Sequence, residues 1–170
     1  GGSSSGRTNT FKTVMVESGA GTEALIEGAT NAALQDTWQH LFSSVKTATT
    51  GGLQLWIDGV EDANSPVDTT NIDDFGNSDK NVHIGIFPDL TKDRNGKIAE
   101  IAWWNRILTD SEIISLSKGY SPLFIPNGLI HYLPLLGNTS PEINLISSAN
   151  TGTISGTVNK FAHPRSIYPS

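Results

Sequence analysis

The stretch "LQLWIDG", Leu53 to Gly59, constrains this chain more than any other. Leu53, Leu55 and Ile57 alternate with Gln54 and Trp56, the two-residue period of a strand with one face turned to a core. Asp58-Gly59 then ends the run. That dipeptide is the strongest short hairpin signal, because a type I′ turn needs positive φ at both central residues. Asp58 is therefore read as the corner of a hairpin rather than as a working carboxylate.

The same grammar recurs along the chain. Strands are expected over Phe11–Glu17, Ala24–Glu27, Trp38–Lys46, Val82–Phe87, Lys97–Asn105, Gly128–Leu135, Ile143–Ile146 and Thr151–Val158, with turn-forming residues between them. One helix interrupts the series. In "LTDSEIISLSKG", Thr109 is the N-cap and Glu112 completes a capping box. Leu108 and Ile113 are placed as a hydrophobic staple, and Gly119 as the C′ glycine of a helix over Asp110–Lys118. Many short strands with turns between them imply an all-β fold, a jelly-roll β-sandwich of two antiparallel sheets with one short α-helix. Residues 1–9, which open "GGSSSG", read as a flexible linker, 10–170 as the sandwich domain, and 128–170 as its strand-forming C-terminal tail.

With 170 residues the chain can bury roughly 70% of its unfolded surface as one domain. The absence of cysteine excludes disulfides, thiolate zinc sites and a cysteine nucleophile. Net charge is −6, and the 11 basic residues are scattered singly, so no nucleic-acid footprint is present. No apolar run approaches the roughly 20 residues of a bilayer span, so membrane insertion is not expected. The sequence opens with neither a signal peptide nor a methionine, and Met15 is its single methionine; a fragment or processed product is expected.

Few residues carry chemistry. The polar stretch from Glu61 to Asn81 holds Asp68, Asp73, Asp74 and Asp79, the candidate calcium ligands. Calcium takes six to eight oxygens, and no fixed ligand spacing appears, so a solvated loop is the alternative. "TKDRNGKIAE" contains part of an EF-hand loop, but Thr91 and Ala102 occupy its end-ligand positions, and a hairpin turn is the better reading. Trp103 and Trp104 are adjacent and must face opposite ways in a strand. Core packing is the default for all four tryptophans, whereas an exposed indole among polar loops would mark a sugar site. Trp56, Trp104, Asn71 and Asp89 are the candidate ligand-binding residues. His40, His83, His131 and His163 are isolated, which argues against zinc. Glycoside hydrolysis needs two carboxylates across a cleft, and Glu100 stands alone on its strand, so no catalytic residue is assigned.

Four motifs occur in order: "WQHL", "LQLWIDG", "VHIGIF" and "NGKIAEIAWWNRILTDSEIISL". In this series the chain resembles the concanavalin A-like lectin/glucanase superfamily, in its laminin-G-like and pentraxin-like branch, over Trp38 to about Gly119. Ala99 stands where that branch usually has Asp before Glu. Gly128 to Gly156 looks like a family opening segment, either completing a permuted jelly roll or docking on a neighbouring copy; similar tails occur in laminin-G-like proteins of phages and environmental bacteria. The glucanases carry Glu-x-Asp-x-x-Glu on one strand, an arrangement missing here. The resemblance implies a non-catalytic recognition or adhesion module on an extracellular protein or virion. Its partner would be a glycan or cell-surface polysaccharide, and its cofactor, if any, calcium. The alternative is a structural or assembly module packed against neighbouring protein chains, including an oligomer of itself.

Overall fold

The computed structural model describes residues 10–16, 23–73, 84, 96–137, 140–148, 151–154, 159–164 and 166–169. The linker expected at 1–9 and nearly all of the strand expected at Val82–Phe87 lie outside the described residues. The chain divides into two compact units, Gly1–Ser78 with Ile107–Lys118, and Asp79–Arg106 with Gly119–Ser170. Strands in antiparallel sheets dominate, and the described residues form a single α-helix, so the all-β class read from the sequence holds.

In the first unit β1 (Lys12–Val16) pairs antiparallel with β2 (Glu23–Glu27), in the register Thr13↔Ile26 and Val14↔Leu25. A second sheet is built from β3 (Leu41–Val45), β4 (Leu53–Ile57) and β5 (Val60–Glu61) in that order. Leu41 pairs with Ile57 and Val45 with Leu53. The inner faces of the two sheets meet. Ala24 and Ile26 of β2 join Leu53 and Leu55 of β4 in one buried cluster, flanked by Phe11, Ile57 and Val67. At its edge the hydroxyls of Thr13 and Ser43 meet at 2.9 Å, which satisfies both where the layers close. Each fully buried Ile or Leu here contributes about 1.5–3 kcal/mol.

The segment after β5 is more ordered than its composition suggests. Asp62 is buried; its Oδ2 accepts the Ala29 N–H at 2.9 Å and its Oδ1 the Asn64 N–H at 2.9 Å. The Asn64 amide donates to the Glu27 carbonyl at 2.9 Å. Val67 exchanges two backbone hydrogen bonds with Leu53, extending the sheet by one bridge. Thr69 is buried, and its hydroxyl donates to the Lys46 carbonyl at 2.5 Å. Ile72 then enters the core at 1% exposure. Gly52 permits this arrangement, because a Cβ there would collide with Thr69 Oγ1 and the Lys46 carbonyl.

Helix α1 (Asp110–Ser117) begins at the expected capping box, with the Thr109 N–H donating to Glu112 Oε2 at 2.8 Å. Ile113 and Leu116 face the interior, and Leu108 is buried beside them. Lys118 is the C-cap, and Gly119 follows at φ 87°.

In the second unit β6 (Ile101–Trp104) pairs antiparallel with β7 (Leu129–Leu133), with an irregularity between Trp103 and Trp104. Both strands are shorter than the sequence pattern predicts. Glu100 sits at φ 57° and ends the extended run before β6; Pro134 and Leu135, at φ 57°, end β7. Ile143–Ile146 forms no strand. The Asn144 side chain takes the place of a backbone partner, its Oδ1 accepting N–H groups from Tyr132 at 3.2 Å and Ile146 at 3.0 Å. Glu142↔Gly152 is an antiparallel bridge, and the tail returns as a parallel bridge, Tyr120↔Ile167.

Ile72→Ala is expected to lower stability by about 2–5 kcal/mol, as a buried truncation does. Val60→Ala, at a side chain 69% exposed, should change it by less than about 0.5 kcal/mol. Urea denaturation of both variants measures the contrast, and equal effects would place the core elsewhere.

Candidate functional site

Of the residues picked out in the sequence, Trp56, Asp68, Asn71 and Asp73 lie in the first unit and Trp104 in the second. Trp56 is 7% exposed, so its ring offers no open face for stacking, and its buried Nε1 has no hydrogen-bond partner. Trp104 is half-buried in the other unit, and its Nε1 donates to the Ile125 carbonyl at 2.9 Å. Asn71, Asp68 and Asp73 are exposed, and Asp68 Oδ1 accepts the Gly51 N–H at 2.7 Å. Asp74, Asp79 and Asp89 lie outside the described residues. Among the described residues no three His, Cys, Asp or Glu side chains come together as a metal site.

A different tryptophan meets the requirement for an open ring. Trp38 is 44% exposed and precedes β3 rather than belonging to it. Before it, Gln35, Asp36 and Thr37 are all exposed. Asn31 at φ 63° and Asp36 at φ 55° bend this loop through the left-handed region, which Asn and Asp tolerate better than most residues.

The loop is held by Gln39 and Asp58. Gln39 Oε1 accepts the Leu34 N–H at 2.6 Å, and its Nε2 donates to the Ala32 carbonyl at 3.0 Å and to Asp58 Oδ2 at 3.1 Å. Asp58 Oδ1 accepts the His40 N–H at 2.8 Å, while the Asp58 N–H returns a bond to the His40 carbonyl at 2.9 Å. Asp58 and Gly59 have φ of 52° and 79°, the positive pair that a type I′ corner requires. The carboxylate of that corner thus braces the residues that follow Trp38.

His40 lies under this brace. Burial lowers its pKa below the ordinary 6.5, and the Asp58 charge opposes that shift. Its Nδ1 is buried without a hydrogen-bond partner. The unfolded chain therefore binds a proton that the folded form resists. This contribution to stability is complete above about pH 6.5 and falls as pH drops from there toward the depressed folded value.

The second unit holds a constellation that sequence reading missed. The Glu100 carboxylate accepts from the Tyr132 hydroxyl at Oε2, from the Tyr168 hydroxyl at Oε1 (2.9 Å), and lies 3.1 Å from His163 Nε2. The other ring nitrogen, Nδ1, is 2.9 Å from the Pro164 carbonyl, and Nε2 is also 3.0 Å from the Pro134 carbonyl. Tyr132 is fully buried, and burial followed by the Glu100 hydrogen bond raises its pKa strongly. Burial raises Tyr168 as well. Both phenols therefore stay protonated donors at neutral pH. Glu100 fastens the tail to β7, and its oxygens are committed to that task. Residues 100, 132, 163 and 168 share no periodicity, so only the fold could reveal their convergence.

A family model described as the concanavalin A-like lectin/glucanases superfamily matches residues 3–114. The chain belongs to this superfamily. The match takes in β1 to β5, the Trp38 loop, β6 and most of α1. No curated protein and no solved structure matches the chain. Laminin-G-like and concanavalin A-like domains are in general carbohydrate- or ligand-binding modules and generally non-catalytic, although the superfamily includes glucanases. Its lectins often bind calcium.

Two outcomes test the site chemistry. The stability advantage of the wild type over His40→Gln should narrow as pH falls from about 7.5 to 5, read as the difference in Tm at each pH. Tyr132→Phe should cost about 1–3 kcal/mol, because the partly buried Glu100 carboxylate loses a donor. Denaturant titration with tail fluorescence (Tyr168 lies there) measures it.

Proposed function

We propose that this chain is a non-catalytic recognition module that binds glycans on a cell surface or extracellular polysaccharide through the Trp38 loop. The observation that carries this reading is the open Trp38 indole, set beside exposed amide, carboxylate and hydroxyl groups on a braced loop. A sugar ring presents C–H groups to an aromatic face and hydroxyls around its edge, and this loop supplies partners for both. Bracing matters because a loop already ordered loses less conformational freedom on binding. A place on an extracellular protein or on a virion suits such a module. The commitment of Glu100 to Tyr132, Tyr168 and His163 supports a role other than hydrolysis.

The assembly reading has its own support in the second unit, where Ile143, at 55% exposure, Leu145 and Ile146 form an exposed apolar run beside β7. Sedimentation velocity across concentrations decides whether the chain self-associates.

A glycan array probed with the whole chain should give hits that persist in chelator, since the contacts proposed come from side chains of the loop. Trp38→Ala should weaken the best hit at least about tenfold, a loss of about 1.4 kcal/mol. An array with no hits would exclude the glycan reading.

A further inference from the structure

Resting on the glycan reading of the Trp38 loop, we infer that this site selects against anionic sugars and that Asp36 is its specificity-determining residue. The two carboxylates of this region have different duties. Asp58 is engaged on both oxygens by Gln39 and the His40 N–H. Asp36 is exposed, stands two residues before Trp38, and is hydrogen-bonded by nothing among the described residues. It is thus the carboxylate left open to a ligand. A carboxylate only accepts, with about four lone-pair directions, so it suits a pair of neighbouring sugar hydroxyls, both donating. The exposed Gln35 amide adds a donor and an acceptor.

Charge decides the ligand class. Residues 29–41 contain no lysine or arginine, and the chain as a whole carries −6. A uronate or sulfate beside Asp36 would find a like charge and no countercharge in the loop. At about 5 Å in water that repulsion is worth roughly a factor of four in affinity, and it fades as salt is added. A cationic sugar would gain a similar small factor from Asp36. Its ammonium would donate to Asp36 as the hydroxyl it replaces does. The arrangement therefore favours a neutral ring with two adjacent hydroxyls over its anionic counterpart.

The test uses neutral hexose oligosaccharides of several linkages, each paired with its 6-carboxylate and its 2-amino counterpart, in calorimetry at low and high salt. The whole chain is compared with Asp36→Asn, which keeps the residue's tolerance of positive φ and removes the charge. The expected result is that neutral oligosaccharides and their 2-amino counterparts both bind better than the 6-carboxylates, and that the neutral-to-carboxylate ratio falls about fourfold in Asp36→Asn at low salt. That change should vanish at high salt, while circular dichroism and Tm match the wild type. A preference for the 6-carboxylate, or a ratio that Asp36→Asn leaves unchanged, overturns the inference while the glycan reading stands. Silence across every neutral and charged sugar overturns both.

Discussion

The contact between the inner faces of β2 and β4 is the constraint on which the first unit depends. Ala24 and Ile26 meet Leu53 and Leu55, and Ile72 closes the cluster. Because side chains alternate along a strand, a slip of one residue in either sheet would turn this whole set outward. Holding that register decides where every turn falls. The Asp58-Gly59 corner, the Val67 bridge and the start of β3 all sit where the buried leucines of β4 put them.

Carboxylates serve this architecture as backbone clasps. Asp58 ties the β4–β5 corner to the entry of β3, and Asp62 ties the exit of β5 to residue 29. Glu100 does the same for the tail with side-chain donors. Charge-assisted bonds of this kind are stronger than neutral ones, and each lets an irregular segment hold a definite shape. The consequence for function is indirect but physical. The acids that look most suited to chemistry are those least available for it, while Asp36, in a loop without periodicity, stays open.

Much of the fold could be read in advance. The alternation in Leu53–Ile57, the hairpin signal, and the Thr109/Glu112 capping box are local features, encoded in adjacent residues and decided by backbone sterics and near-neighbour hydrogen bonds. The candidate site was much less legible. Trp56 and Trp38 each stand in a stretch that reads as a strand, yet one is covered and the other open. Ile72 and Thr69, in a stretch that reads as a polar loop, turned out to be core residues because the sheet edge at Val67 carries them inward.

By itself, then, the sequence determined the all-β class, the helix with its cap, the principal hairpin and the family motifs, since each follows from spacing over a few residues. Which indole faces solvent, which carboxylates are tied down, and the meeting of Glu100 with Tyr132, His163 and Tyr168 were decided by tertiary structure alone. Burial and long-range hydrogen bonding depend on what packs from distant parts of the chain, and no local pattern records that.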